Sequence, residues 1–302
     1  MHGCTWMDTA MSSTRRFMQL DVFSRQPMKG NPLAVVIDGD GLDDATMRDF
    51  ARWTNLSETA FLLTPTEPEA DYRVRIFTPR QELPFAGHPS VGSAYAAIEA
   101  GLIAPGKTKL IQQCAAGLLP VRIDGADEGR TIHVQAPRAQ LHRADPALRT
   151  AIGDALHVSL DDTQLRLVDN GPRWWVCHLH DASPVRALTP DLPAIAALSE
   201  RHGALGVCVF GREHSGDAAM AVRAFCPADS VPEDPVTGSA NAGIMAFLAE
   251  SGDDSYGASY RASQGREVGR DGYVDVSRHP VSGVITIGGQ CVIAIRGELE
   301  LR

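Results

Sequence analysis

The sequence has little positive charge. Among its 302 residues, 28 are Lys or Arg and 37 are Asp or Glu, which gives a formal net charge of -9. Such a chain has no electrostatic field that would attract DNA, RNA or an anionic membrane surface. It also has no apolar run near the roughly 20 residues of a membrane helix, and its N-terminus has no signal-peptide core. We therefore expect a soluble, cytoplasmic protein that binds neither nucleic acid nor a membrane.

Cysteines are few and scattered. No two of them form a C-x-x-C pair and their spacing shows no disulfide framework, so we expect reduced thiols. The six are Cys4, Cys114, Cys177, Cys208, Cys226 and Cys291. No G-x-G-x-x-G, P-loop or G-x-S-x-G motif occurs either, which removes the usual support for nucleotide binding and for serine hydrolysis.

Two segments contain metal-binding residue types without a complete ligand set. Residues 177–180, Cys-His-Leu-His, lie on an alternating, strand-like segment, and no further ligands occur at matching spacing. Residues 38–41, Asp-Gly-Asp-Gly, are similar to the start of a calcium loop, but Leu42 stands where a third oxygen ligand is needed. The sequence therefore predicts no metal site and no cofactor.

Apolar patterning predicts a β-rich chain with few helices. Residues 1–15 are irregular and are expected to form an N-terminal extension. Strands are predicted at Met18–Phe23 and Leu33–Ile37, followed by a helix that ends near Asn55. The buried face of this helix is predicted to consist of Leu42, Met47, Phe50 and Trp53. A second helix is predicted at Gly92–Ala100, on a segment almost free of charge.

An internal repeat indicates how the chain is organised. Residues 74–79 and 222–227 both read V-R-x-F-x-P, and each copy leads through a loop to [H/D]-P-x-x-G-S-A-x-A. Two such copies predict two similar domains, at 16–127 and 128–288, with a C-terminal strand at about 289–302 returning to the first. In this register His88 and Asp234 are equivalent, and we expect them to face each other across the cleft between the domains.

The repeat also suggests where a ligand would bind. Gly92 and Gly238, each followed by a serine, are expected near helix starts, where unpaired backbone N–H groups and the helix dipole bind a carboxylate. Each candidate has a purely structural alternative. Asp234 followed by proline is typical of a helix N-cap, His88 is typical of a hydrogen-bonded structural residue, and Glu58 is typical of a solvated carboxylate before a strand.

Taken together, the motifs resemble those of the phenazine-biosynthesis PhzF-like isomerases, relatives of diaminopimelate epimerase. The resemblance covers nearly the whole chain from about Phe17. It rests on Asp21-Val22-Phe23, Gly30-Asn31-Pro32-Leu33-Ala34-Val35, Asn55-Leu56-Ser57-Glu58-Thr59, Arg75-Ile76-Phe77-Thr78-Pro79, Glu82-Leu83-Pro84-Phe85-Ala86-Gly87-His88-Pro89, Glu233-Asp234-Pro235-Val236-Thr237-Gly238-Ser239, Gln264-Gly265 and Gly269-Arg270.

The resemblance implies an α+β fold of two pseudo-symmetric domains, each a β-barrel wrapped around a central helix, with the active site between them and commonly a homodimer. It implies that Glu58 takes a proton from one carbon and returns it to another. His88, Asp234 and Ser239 are implied to hold and polarise the substrate, and Ser57, Gly87 and Gly238 are further candidate contacts.

We therefore expect a cofactor-independent isomerase of a small cyclic or amino-acid-like carboxylate. One alternative is an epimerase or racemase that uses Glu58 with another base, and a second is a binding protein without turnover. Epimerases of this fold that use two thiols carry cysteines at the cleft positions of the repeat, and none of the six cysteines falls there. The resemblance makes a dihydro-hydroxyanthranilate only one candidate substrate.

Overall fold

A computed structural model describes residues 13–301 of the chain. The strands are β1 (Ser13–Val22), β2 (Asn31–Val36), β3 (Thr59–Leu63), β4 (Tyr72–Phe77), β5 (Glu82–Leu83), β6 (Lys109–Cys114), β7 (Gly117–Asp124), β8 (Thr131–Gln135), β9 (Gln140–Arg143), β10 (Leu165–Asp169), β11 (Arg173–Asp181), β12 (Gly206–Arg212), β13 (Met220–Cys226), β14 (Val231–Asp234), β15 (Ser259–Gln264), β16 (Gly272–Arg278), β17 (Ile285–Gly289) and β18 (Cys291–Leu301). The helices are α1 (Asp44–Thr54), α2 (Gly87–Glu99), α3 (Pro146–Leu156), α4 (Ala182–Ala187), α5 (Leu192–His202) and α6 (Gly238–Ser251).

The strands form two halves with the same order of pairing. One half runs β18-β1-β2-β3-β4-β6-β7-β8 and the other β9-β10-β11-β12-β13-β15-β16-β17. Parallel pairs fall at matching places, β2–β3 with β11–β12 and β4–β6 with β13–β15. Strands β8 and β17 pair antiparallel and join the halves. This repetition confirms the predicted α+β architecture of two pseudo-symmetric units.

The boundaries of the halves differ from the prediction at two places. Strand β1 begins at Ser13, so residues 13–15 are not part of an irregular extension, and residues 1–12 lie outside the described residues. Strand β8 packs against α2 and completes the first half, which places the division at 136–139 instead of at residue 127. The C-terminal strand β18 pairs with β1 and so belongs to the first half.

Each half is built around one buried helix. Helix α2 packs against β1 to β4 and β8, and α6 packs against β10, β11, β16 and β17. Both helices carry small and apolar residues on all sides, because a helix enclosed by strands has no solvent face. The predicted start at Gly92 is wrong, since α2 already begins at Gly87. Gly92 is instead a packing position, where a Cβ would lie 2.5 Å from Cδ2 of Leu33.

Helix α1 covers the outer face of the first half. Met47 and Phe50 are buried against Phe61 and Phe77, as their spacing predicts. Trp53 was expected on the same face, but it is 79% exposed and stacks on Phe50 from outside, with 6.0 Å between the ring centroids. The helix ends at Asn55 in a left-handed conformation, with φ of 52°, and this turn directs the chain to Glu58.

The two copies of the repeat align differently in space than in sequence. Arg75 forms two hydrogen bonds to Glu82, and Arg223 forms the matching two to Glu233. Counted from these pairs, Asp234 is equivalent to Leu83, and His88 is equivalent to Ser239. The predicted equivalence of His88 and Asp234 is therefore wrong. The loop after the second copy's strand is longer, and this extra length shifts the apparent sequence register.

None of the helices between residues 13 and 301 is both long enough and apolar enough to cross a lipid bilayer.

Candidate active site

The central helices of the two halves begin against each other. A Cβ on Gly238 would lie 3.6 Å from the backbone nitrogen of His88, and one on Gly87 would lie 3.8 Å from Cα of Gly238. Either Cβ would also approach Cδ1 of Ile287 to 2.7 Å, so a larger residue at either position would force the Ile287 side chain to move. The two dipoles therefore present their positive ends to the same region.

These helix starts are open for an anion. The first N–H groups of a helix have no partner within it. Neither N-cap residue, Ala86 or Thr237, accepts a hydrogen bond from them through its side chain. Two sets of free donors and two dipole ends suit a carboxylate group. The helix starts that bear on the expected anion site are those at Gly87 and Gly238, whereas Gly92 and Ser93 lie inside α2.

Glu58 lies beside this junction, directly before β3. Its Oε2 atom is 3.5 Å from Nε2 of His88, which sits in the first turn of α2. Glu58 Oε2 and His88 Nε2 are buried and have no hydrogen-bond partner of good geometry within the part of the chain that the structure describes, and Ser57 Oγ is buried beside Glu58. Buried polar groups are normally paired. Unpaired Glu58 Oε2 and His88 Nε2 side by side indicate a binding site for a polar molecule.

Burial sets the protonation of both groups. It raises the pKa of Glu58 to about 7, although a hydrogen bond from Ser57 opposes the rise, and the negative charge of Asp229 makes a smaller contribution in the same direction as burial. It lowers the pKa of His88 to about 4, against the opposing effect of Asp234. At neutral pH the imidazole is therefore uncharged and the carboxyl group is divided between its two forms. The contact between them is not an ion pair, and Glu58 can both accept and donate a proton.

Asp234 reaches the site from the end of β14. Its carboxylate accepts hydrogen bonds from Thr237 Oγ1 at 2.6 Å and from Asn31 Nδ2 at 3.0 Å. Burial raises the pKa of Asp234 to about 6, and these bonds limit the rise. The group is thus mainly ionised at neutral pH. The N-cap alternative for Asp234 is wrong, because Thr237 occupies the N-cap position of α6.

Gln264 fixes the entrance of α6. Its Oε1 atom accepts from the Thr237 backbone nitrogen at 3.0 Å and from Asn241 Nδ2 at 3.1 Å. Its Nε2 atom donates to the Asp234 carbonyl at 3.0 Å. In the sequence, Gln264 and Asn31 stand out only as members of longer motifs, and no role was predicted for either residue. Both stand beside a glycine, Asn31 after Gly30 and Gln264 before Gly265, and only Asn31 belongs to an otherwise apolar strand.

Ser239 was expected to contact substrate, and its hydroxyl oxygen already accepts a hydrogen bond within the protein. It accepts a hydrogen bond from Trp174 Nε1 at 3.0 Å, while the Ser239 carbonyl accepts from Asn170 Nδ2 at 2.9 Å. The hydroxyl proton is not used in either bond. Ser239 can therefore act as a donor with a fixed orientation, in the first turn of α6 opposite His88.

Cys226 and His178 are the side chains that bear on the thiol and metal alternatives. Cys226 lies near Glu58 and Asp234, but burial and their negative charges raise the pKa of its thiol. It is therefore a protonated and poorly nucleophilic group. His178 stacks flat on Phe210 with 4.5 Å between ring centroids. Among residues 13–301, no group of three His, Cys, Asp or Glu side chains is arranged to hold a metal ion.

Known proteins match along the whole of this fold. A model of the phenazine biosynthesis-like protein family matches residues 20–297. Antisense-enhancing sequence 1 of Schizosaccharomyces pombe is 38% identical, over 93% of this chain and 97% of its own. Trans-2,3-dihydro-3-hydroxyanthranilate isomerase of Pseudomonas aeruginosa is 34% identical, over 84% of this chain and 87% of its own. A PhzF-family phenazine biosynthesis protein of Bacillus anthracis superposes with a TM-score of 0.83 at 25% identity, over 96% of this chain and 100% of its own.

Proposed function

The chain belongs to the phenazine biosynthesis-like protein family and is an enzyme of the isomerase type, and from this we propose that it moves a proton between two carbons of a small carboxylate with Glu58 as the acid and base. The observation that carries the proposal is the unpaired Glu58 Oε2, buried 3.5 Å from His88 Nε2 beside two open helix starts.

The substrate carboxylate is held by the helix starts. Backbone N–H groups at Gly87 and Gly238 donate to it, and the two dipoles favour its charge. Uncharged His88 and ionised Asp234 bind further polar groups of the substrate, and Ser239 donates its remaining proton. Such a site suits a cyclic or amino-acid-like carboxylate.

The reaction needs no electron acceptor. Glu58 in its ionised form takes a proton from a saturated carbon next to a double bond that is conjugated with the carboxylate, and that C–H bond breaks. Its electron pair shifts the double bond and places charge on the carboxylate oxygens, where the helix starts stabilise it. Protonated Glu58 then returns the proton to a second carbon on the same face, and a new C–H bond forms. Atoms and electrons balance within the substrate.

A second candidate is epimerisation at one carbon, and Asp234 favours it. This second buried carboxyl group has a pKa of about 6, so it could serve as a base on the opposite face. In D₂O the two functions differ. Isomerisation by Glu58 alone shifts a double bond and returns either the original proton or deuterium, whereas a two-base epimerase inverts a stereocentre and incorporates solvent deuterium in the inverted product.

The test uses trans-2,3-dihydro-3-hydroxyanthranilate, the compound in the name of the relative described above, with proline and other cyclic amino acids as further probes. Glu58→Gln keeps the side-chain shape but accepts no proton. We expect turnover to fall by about 10²–10⁴-fold with substrate binding largely kept. Glu69→Gln, at an exposed glutamate, is the matched control and should behave as wild type. Near-wild-type turnover in Glu58→Gln would place the proton carrier elsewhere, with Asp234 the next residue to test.

A further inference from the structure

The side-chain amide of Gln264 has only one possible orientation. It lies between the Thr237 backbone nitrogen, which can only donate, and the Asp234 carbonyl, which can only accept. Oε1 is therefore the atom 3.0 Å from that nitrogen, and Nε2 is the atom 3.0 Å from that carbonyl oxygen. Oε1 also accepts from Asn241 Nδ2 at 3.1 Å, and Gln264 is fully buried. The second proton of Nε2 is thus donated to Thr237 Oγ1, which is 2.9 Å away.

This last bond sets the direction of the Thr237 hydroxyl group. A hydroxyl group can both donate and accept. Here its oxygen accepts from Gln264, so its own proton is available for a different acceptor. Asp234 Oδ2 lies 2.6 Å from Thr237 Oγ1 and accepts this proton. The two bonds form a relay, in which Gln264 makes Thr237 a donor to the Asp234 carboxylate.

The turn after Gln264 holds the relay against the chain that carries Asp234. Gly265 has a φ of 96°, and a Cβ there would lie 2.5 Å from the Pro235 carbonyl oxygen. Glycine is required at this position, because any Cβ would be strained by both the contact and the φ angle. Thr237 and Gln264 are buried, whereas Asp234 is partly exposed. The relay therefore lies inside the protein, and its Asp234 end is the one that a ligand can reach.

We propose that Gln264 and Thr237 are positioning residues that keep the Asp234 carboxylate ionised and fixed as a hydrogen-bond acceptor at the candidate active site. A hydrogen bond donated to a carboxylate favours its charged form, and such a bond is stronger than one between neutral groups. Asp234 thus presents to a ligand an acceptor of constant charge and direction. The inference rests on the proposed function only for what that acceptor does in the reaction.

The surroundings of Asp234 stay the same when the relay is changed. Burial raises the pKa of Asp234 to about 6, and the hydrogen bond from Thr237 opposes this rise. Its chain neighbour Glu233 is paired with Arg223 at 2.7 Å. The other groups that act on Asp234 are Glu58 before β3, His88 on α2, the protonated thiol of Cys226 on β13 and the amide of Asn31 on β2. A change in the Asp234 titration in relay variants therefore reports the bond from Thr237.

The experiment measures that titration directly. The protein is labelled with ¹³C in its aspartate side-chain carboxyl groups, and the Asp234 signal is assigned by its loss in Asp234→Asn. Thr237→Val removes the donor and should raise the pKa of Asp234 from about 6 by about one unit, whereas Thr237→Ser keeps the hydroxyl group and should leave it near 6. Gln264→Met lets the hydroxyl group turn and should raise the pKa by a few tenths of a unit. In the Thr237→Val background it should add nothing.

Gln112→Met is the matched control. Gln112 is also fully buried and bonded to a hydroxyl group, with Nε2 at 3.0 Å from Ser90 Oγ. Its loss should cost similar stability and leave the Asp234 titration unchanged. If Gln264→Met does not fold, Gln264→Glu replaces it, since it has the same shape and still accepts from the Thr237 nitrogen. Its charge acts on Asp234 in both Thr237 backgrounds, so the difference between them again reports the hydroxyl group.

Two results would overturn the proposal. One is an unchanged Asp234 titration in the Gln264 variant. The other is an equal shift with and without the Thr237 hydroxyl group, because Gln264 would then act through packing alone. The titration is measured without substrate, so turnover that survives in Glu58→Gln would refute the proposed function and leave this result standing. Where turnover is measurable, the acid limb of the pH profile of kcat/KM should move in Thr237→Val and return to that of wild type in Thr237→Ser.

Discussion

Asn31 on β2 of the first half donates a hydrogen bond of 3.0 Å to the Asp234 carboxylate on β14 of the second. The same amide donates to the Val236 carbonyl at 2.9 Å, and Asn31 is only 1% exposed. Water therefore does not compete for these bonds. The orientation and charge of Asp234 depend on how the two halves are placed relative to each other.

Asn31→Ala should impair both stability and the site. It leaves Asp234 Oδ1 and the Val236 carbonyl without this donor, and we expect a loss of about 1–3 kcal/mol in the free energy of unfolding. The pKa of Asp234 should rise from about 6, because a bond to its ionised form is lost. Chemical denaturation and the pH profile of kcat/KM measure the two effects. An unchanged pH profile with reduced stability would show that Asn31 has only a structural role.

Glu58→Gln should be more stable than wild type at alkaline pH. A glutamate side chain ordinarily has a pKa of 4.5, as in the unfolded chain, and the pKa of Glu58 in the folded protein is about 7. A raised carboxyl pKa means that the folded state binds the proton more tightly, so this contribution to stability is present at low pH and is lost as pH rises from about 4.5 through 7. The glutamine variant should gain at most about 3 kcal/mol over wild type at pH 8 and little at pH 4. Denaturation curves at both pH values test this, and equal differences at the two would contradict it.

Gly238→Ala should strain the packing between the start of α6 and Ile287. The new Cβ would lie 2.7 Å from Cδ1 of Ile287, and overpacking of this kind costs about 1–3 kcal/mol. Turnover should fall because any shift of α6 that relieves the clash also displaces the backbone donors for the carboxylate. Removing the clashing methyl group in Gly238→Ala/Ile287→Val should restore part of both losses. Gly297→Ala, where a Cβ has no neighbour within 4 Å among the described residues, is the control. Failure of the double variant to recover would show that the clash is not the cause.

Thiol alkylation under native conditions should leave turnover largely intact. Cys177, Cys208, Cys226 and Cys291 are buried. Burial raises the pKa of each of these thiols, which keeps them protonated and slow to react. Activity assays and peptide mapping after iodoacetamide treatment check this. A loss of turnover that substrate prevents, traced to Cys226, would revive a thiol mechanism.

The sequence predicted the architecture better than the geometry of the site. Gly101 and Gly252 correctly predicted where the two central helices end. The near absence of charged residues in these helices predicted that they are buried. The helix starts were misplaced, because Gly92 serves packing against Leu33 and local sequence does not distinguish a packing glycine from one at a helix start. The repeat predicted two related halves, but the longer second loop hid its true register.

Glu58 shows the limit of local reasoning most clearly. By itself it reads as a solvated carboxylate before a strand, and only the resemblance to a family singled it out. Its unusual pKa arises from burial beside His88, a contact between residues far apart in the chain. Asn31 and Gln264 were missed for the same reason, since their partners lie in other elements. The homodimer and the cytoplasmic location stay predictions.

The pairing of β18 with β1 has a consequence for synthesis of the protein. The first half obtains its outer strand only after residues 291–301 have left the ribosome, whereas the strands of the second half, β9 to β17, are already available. Until then β1 has an uncovered edge, and such edges promote aggregation. Contacts between the first and last strands also make folding slow. The N-terminal half of this chain is thus the last to be completed, in reverse of the usual order for proteins with two domains.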